Sequence, residues 1–319
     1  MTIDRISTAG QAQFMLSLVN QAGNAYNTSQ QQVASGKVST EYSGFGSQTS
    51  LLEATRTAAT KSAAYQANTN LAVNQADLQD TQLSSLSDIA NQLRSTLTNA
   101  VANNDGSTMS SDIQGIFDQV KQILNSQDAN GNYIYGGDKD NTPPVNVSTL
   151  AQLVALPSVA SAFSNGTLKK SVAVSDSQTV QVGVLASDAG TALLQTLKDV
   201  ATFDAGPNGN FAASTTLTKA QSDFLTSEIP VSVNAASSVN SVAASNGVVF
   251  NQLKDAATQQ QSLNTLYQGF VSNIENVDLP TALAQESQNQ VALQAALQVT
   301  SRLGQLSLLN YLPTPTTTG

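Results

Sequence analysis

Cysteine, histidine and tryptophan do not occur among the 319 residues. Their absence leaves no thiol nucleophile, no Ser–His dyad, and no zinc, haem or iron–sulfur centre of the usual kinds. Charge is scarce too, at 11% against about 25% in an ordinary soluble domain. Thirteen basic residues face 22 acidic ones, for a net charge of -9. A phosphate backbone needs clustered Lys and Arg, so nucleic acid is not expected as a partner, and an anionic membrane surface is disfavoured. No apolar run approaches the length of a bilayer-spanning helix, which excludes membrane insertion by a helix. The opening Met1-Thr2-Ile3-Asp4-Arg5-Ile6 has no basic stretch followed by an apolar core, so a cleaved signal peptide is not expected. A secreted chain of this kind would leave by another route. No enzyme and no cofactor is expected.

Present instead are two apolar stripes at helical spacing, one at each end. The first runs through Ile3, Ile6, Phe14, Leu18, Ala22, Tyr26 and Val33. The last runs through Leu279, Leu283, Leu293, Leu297, Leu303, Leu308 and Leu312. Ser, Thr, Asn and Gln do the solubilising between them, as in Gln30-Gln31-Gln32 and Thr258-Gln259-Gln260-Gln261. The fold expected is mainly α, with long paired N- and C-terminal helices forming a coiled-coil-like bundle and a small α+β domain inserted in the middle. Neither stripe closes a core alone, so copies of the chain are expected to cover what the pairing leaves open. The candidate assembly residues are Ile6, Phe14, Leu18, Ala22, Leu283, Leu293, Leu297, Leu303 and Leu308.

Along the chain, an assembly helix and loop (1–50) precede the first part of a helical core (51–136). An outer α+β domain (137–237) is followed by the second part of the core (238–278), a C-terminal assembly helix (279–312) and a tail (313–319). Met15, Leu18, Ala22, Ala25 and Ser29 step by three and four, the spacing of a seam against a partner helix. Gly36 is placed to cap helix one, predicted over 3–34. A second helix is predicted from Leu51 to Ala102, on Leu71, Leu78, Leu86, Ile89, Leu93, Leu97 and Val101, ending at the turn Asn103-Asn104-Asp105-Gly106. A third spans Ser110 to Ser126, with Ile113, Phe117, Val120 and Leu124 on one face. Period-two alternation predicts short strands at Tyr133–Tyr135, Val145–Val147, Val172–Val174, Val180–Val184 and Val231–Val233, with a helix resuming near Val239.

Few residues suggest a small-molecule site. Asp138 and Asp140 flank Lys139 after two glycines, but the spacing is not that of an EF-hand, and a solvated turn is the reading preferred. Gly44-Phe45-Gly46 has no Lys-Ser/Thr end of a phosphate loop. Asn146-Val147-Ser148 and Asn165-Gly166-Thr167 fit the N-glycosylation pattern. Arg302 and Arg5 are expected to pair with acidic neighbours such as Glu286 or Asp4, or to sit solvated.

Four stretches resemble the bacterial flagellin family. Gln31-Gln32-Val33-Ala34-Ser35-Gly36-Lys37-Val38 is similar to the end of that family's first helix, with its Ser-Gly and basic residue. Asn273-Ile274-Glu275-Asn276-Val277-Asp278-Leu279-Pro280-Thr281-Ala282 and the closing Leu306-Ser307-Leu308-Leu309-Asn310-Tyr311-Leu312 are similar to its entry into the last helix. Gly131-Asn132-Tyr133-Ile134-Tyr135-Gly136-Gly137, with Thr142-Pro143-Pro144-Val145, resembles the branch that joins hook to filament. Residues 39–44 depart from the family, which usually carries a pair of Asp residues there. The resemblance implies an extracellular structural subunit of the flagellum, exported unfolded through the type III apparatus. Its implied partners are copies of itself, a hook-side junction protein, flagellin and an export chaperone. A filament flagellin, or a surface adhesion or glycan-binding module, remain as alternatives.

Overall fold

The structure, a computed structural model, describes residues 3–213 and 215–309. Seven α-helices account for most of them: α1 (Ile3–Ser35), α2 (Thr49–Asn103), α3 (Met109–Leu124), α4 (Leu150–Ala155), α5 (Ala186–Asp204), α6 (Lys219–Glu275) and α7 (Leu279–Leu309). Two strands, β1 (Lys170–Ala173) and β2 (Thr179–Val182), pair antiparallel with Val172 opposite Val180. The chain divides into two compact units, residues 1–60 with 264–319 and residues 61–263. α2 and α6 contribute residues to both.

In the first unit α1 packs along α7. α1 ends where Gly36 adopts φ +68°, a left-handed conformation that costs a residue without Cβ least, and the Gly36 N–H closes the last turn on the Gln32 carbonyl at 2.9 Å. α6 and α7 are separated only by Asn276, Val277 and Asp278, which pair with the chain leaving α1. The Val38 N–H donates to the Glu275 carbonyl at 2.7 Å and the Val277 N–H to the Gly36 carbonyl at 3.0 Å.

The second unit holds the main core. Leu83, Leu86, Leu93 and Leu97 of α2 pack with Ile113, Phe117 and Leu124 of α3, Leu193 and Leu197 of α5, and Leu225 and Val239 of α6. α3 carries Asp112 in its first turn and Lys121 in its last, each matched to the helix dipole. A smaller cluster seats the hairpin: Val174, Val180 and Val182 lie against Ala72, Ala76 and Leu253.

Buried positions of α6 at 221, 225, 228, 232, 235, 239, 246, 253, 256 and 260 alternate by four and three once half-buried Val242 and Val249 are included, with Ala236 and Ala257 buried beside them and Glu275 buried at the helix end. Five of the alternating positions are polar: Gln221, Glu228, Ser232, Asn246 and Gln260. α2 repeats the pattern from Thr55 to Ala100, with Ser62, Thr69 and Gln79 buried. Three of these groups bond across the seam. Ser62 Oγ donates to the Gln260 carbonyl at 2.7 Å, and Asn246 Nδ2 to the Ala76 carbonyl at 2.8 Å.

Several strand expectations give way. Val231–Val233 lies inside α6, just past Pro230. Here the continuous seam outweighs both local β-propensity and the amide hydrogen that proline removes. α6 starts much earlier than Val239, at a capping box in which Thr218 and Gln221 exchange bonds: the Thr218 N–H donates to Gln221 Oε1 at 2.8 Å and the Gln221 N–H to Thr218 Oγ1 at 3.3 Å. Tyr133–Tyr135 and Val145–Val147 form only isolated bridges, Tyr133 with Gln127 and Val145 with Phe163. Side chains substitute for a neighbouring strand at the second place, where Asn125 accepts from the Val145 N–H and donates to its carbonyl. Leu71 and Leu78, offered as evidence for α2, sit on its exposed side.

Candidate assembly interface

The seam between α1 and α7 mixes apolar residues with small and polar ones. On α1 it is formed by Met15, Val19, Ala22, Tyr26, Ser29 and Val33, with Gly23 and Gln32 half-buried beside them. On α7 they are Ala282, Glu286, Asn289, Leu293, Ala296 and Thr300. Both sets step by four and three. Asn289 Nδ2 bridges the helices, 3.2 Å from the Ala25 carbonyl and 3.2 Å from Ser29 Oγ. Leu293 stands close enough to Gly23 that a Cβ there would meet its Cδ1 at 4.0 Å.

The larger apolar side chains face outward. Phe14 is 61% exposed, Leu283 52% and Leu297 50%. Leu16, Leu18, Leu279, Val291 and Val299 are exposed as well. The pair therefore leaves a row of large apolar side chains facing solvent, beside a seam in which Met15, Val19, Tyr26, Val33 and Leu293 alternate with small and polar residues. Each side chain of the outward row, fully buried by a partner, would contribute about 1.5–3 kcal/mol.

Of the assembly residues read from sequence, Phe14, Leu18, Leu283 and Leu297 are exposed, while Ala22 and Leu293 belong to the seam. The side chains of Ile6, Leu303 and Leu308 lie outside the described residues. The proposed seam of α1 needs a correction, because Leu18 and Ala25 are one position off, with Val19 and Tyr26 facing α7 instead. Hydrophobicity favoured Leu18, whereas the four-three step of the buried positions runs through Val19 and Tyr26. Glu286 does not pair with Arg302 among the described residues.

Sequence reasoning missed a second feature of the first unit. Glu275, 5% exposed at the end of α6, receives two cations from different segments. Lys37 Nζ lies 3.2 Å from its Oε2, and Arg56 Nε donates to its Oε1 at 2.6 Å. Arg56 Nη2 meets the same carboxylate, while Nη1 donates to the Tyr42 hydroxyl at 2.8 Å. The Arg56 guanidinium also stands 5.4 Å from the Tyr42 ring centroid. The bond to Tyr42, then those to Glu275, hold the Arg56 pKa above its ordinary value. Lys37, Tyr42 and Arg56, with Ser35, Ser39, Thr40 and Phe45, line a shallow pocket of about 260 Å³.

The residues weighed as metal or sugar sites have structural partners. Asp138 Oδ1 accepts from the Leu168 N–H at 3.2 Å, and Asp140 pairs with Lys170 at 2.5 Å. Asn146 Nδ2 donates to the Ser161 carbonyl and to Ser164 Oγ, and Asn165 Nδ2 to Ser187 Oγ. Among the described residues no group of three or more His, Cys, Asp or Glu is placed to hold a metal. No described helix is long and apolar enough to cross a membrane.

Residues 232–312, about a quarter of the chain, match the family model described as the bacterial flagellin C-terminal helical region. No curated protein matches the chain. Among solved structures, the fold is similar to a protein described as a flagellar hook-associated protein of Vibrio parahaemolyticus, with TM-score 0.59 and 15% identity over 74% of this chain and 99% of that one. It is also similar to FlgL of Bacillus cereus, with TM-score 0.51 and 13% identity over 69% of this chain and 98% of the other.

Proposed function

We propose that this chain is an extracellular structural subunit of the bacterial flagellum, acting as a hook-associated protein 3 that joins hook to filament through its terminal helices. The outward apolar row on α1 and α7 carries the reading. A helix pair that turns Phe14, Leu283 and Leu297 to water gains by burying that row against a further copy. Support comes also from the flagellin-type C-terminal region and from the likeness in fold to a flagellar hook-associated protein of Vibrio parahaemolyticus and to FlgL of Bacillus cereus. The partners on this reading are copies of the chain, a hook-side junction protein on one side and flagellin on the other, with an export chaperone before assembly. The role is structural, with no reaction and no cofactor.

Leu297→Asp tests the interface. The variant is expected to keep its circular dichroism and lose self-association in sedimentation velocity, because the change removes an apolar contact and installs a charge in it. Self-association at wild-type concentration would assign the row another purpose. Cells deleted for the protein test the place in the flagellum: hooks without filaments and unpolymerised flagellin in the medium are expected. Filaments still attached to hooks would refute the joining role in favour of a filament subunit.

A further inference from the structure

We infer that the pocket around Lys37, Tyr42 and Arg56 is the socket for the acidic, leucine-bearing stretch of α2 in a second copy of this chain. The inference rests on the proposed self-association and names a contact that the α1–α7 row does not supply. The pocket gathers two of the chain's thirteen basic residues. Both are directed at one carboxylate, Glu275, so the pocket keeps one unit of positive charge in a protein of net charge -9. Lys37 uses one described side-chain contact, to Glu275, and its side chain is 45% exposed. Glu41, on the same loop, accepts from Ser43 Oγ and is not part of the lining. Tyr42, half exposed, and Phe45 add an apolar flank to the charge.

The complement lies on α2. From Ser62 to Leu93 that helix has no basic residue, but it carries Asp77, Asp80 and Asp88. Their spacing puts the three in one row, and all are exposed with no ion pair among the described residues. Leu78, 44% exposed, stands about 100° round the helix from Asp77 and about 80° from Asp88, with Asp80 on the far edge of the row. One surface is cationic and aromatic, the other anionic and aliphatic. They are two different patches, so a contact between them is head-to-tail and leaves a free socket and a free strip on every pair, which lets it repeat.

The absence of native cysteine makes the test direct. Two full-length variants, Thr40→Cys at the pocket and Leu78→Cys on the strip, are mixed and oxidised. The expected result is a cross-linked dimer in the mixture and little from either variant alone. Equal cross-linking by a single variant would mean like patches meet and would overturn the inference. In parallel, Lys37→Glu is expected to raise the concentration for half-maximal association about tenfold. Asp77→Lys with Asp88→Lys should do the same, and combining all three changes should restore association. Additive losses without restoration would also overturn it. Association that Leu297→Asp abolishes, with no cross-link in the mixture, would sink this contact and leave the proposed function standing. A chain that stays monomeric throughout would sink both.

Discussion

At the scale of single residues, Tyr135 carries the clearest unspent free energy. Its side chain is fully buried, and its hydroxyl has no hydrogen-bond partner among the described residues. Burial alone drives its pKa far above the ordinary tyrosine value. Removing the hydroxyl removes an unsatisfied polar group while keeping the ring. Tyr135→Phe is therefore expected to raise stability by about 1 kcal/mol, measured by urea unfolding of the second unit's core; a loss of similar size would reveal a partner for the hydroxyl. The two glycines that follow have steric reasons. A Cβ on Gly136 would meet the Asp140 Cα at 2.8 Å, and one on Gly137, at φ +65°, would meet the Leu168 carbonyl oxygen at 2.7 Å. The glycine pair in that motif thus serves a close crossing of two loops. Its neighbours Asp138 and Asp140, which looked like ligand candidates in the sequence, fasten the same crossing.

At the scale of elements, the sequence was most legible where apolar residues mark the seam. Leu86, Leu93 and Leu97, and the face of α3 from Ile113 to Leu124, were read correctly because greasy spacing and burial coincide there. Legibility failed in the first part of α6, where Gln221, Glu228 and Ser232 hold buried positions and hide the four-three step, whereas from Val239 onward Val242, Val249 and Leu253 made the helix readable. Polar seam residues of this kind fix the register of a helix pair at a cost in stability. Glu228 bears that cost most plainly: it is 8% exposed, Oε2 has no partner among the described residues, and burial, then the charge of Asp199, pushes its pKa up. The folded state therefore holds the proton more tightly than the unfolded chain. Stability from this group is complete at low pH and falls as pH climbs from the ordinary glutamate value through the raised one. Glu228→Gln should be more stable than wild type at about pH 7.5 and equal to it near about pH 4. Identical urea midpoints at the higher pH would refute the assignment. The cluster at Glu275 was unreadable for another reason: Lys37, Tyr42, Arg56 and Glu275 are brought together only by tertiary structure.

At the scale of the whole molecule, burial is unevenly shared. The second unit holds nearly all of the fully buried leucines and aromatics, and the first relies on Leu52, Ala282 and a seam of half-buried side chains. Local opening follows buried apolar contact, so the units should differ in protection. In hydrogen exchange on dilute, unassembled protein, amides of α1 and α7 are expected to exchange at least about a hundredfold faster than those of residues 83–97. Comparable protection in both would mean that the terminal helices need no partner. The same contrast explains why the overall class was legible and the interface only half so. Long helices announce themselves by length and composition, whereas which side of a weak helix pair turns inward depends on one-residue differences such as Leu18 against Val19.

The outward row on α1 and α7 contains nothing that acid, base or a reducing agent can alter: Phe14, Leu16, Leu18, Leu283, Val291, Leu297 and Val299 have no proton to gain and no sulfur to oxidise. Neither protonation nor redox state can switch such a row on or off. On the proposed reading, timing comes from local concentration or from a removable sheath, and a freshly made molecule left bare would stick to whatever greasy surface it met first.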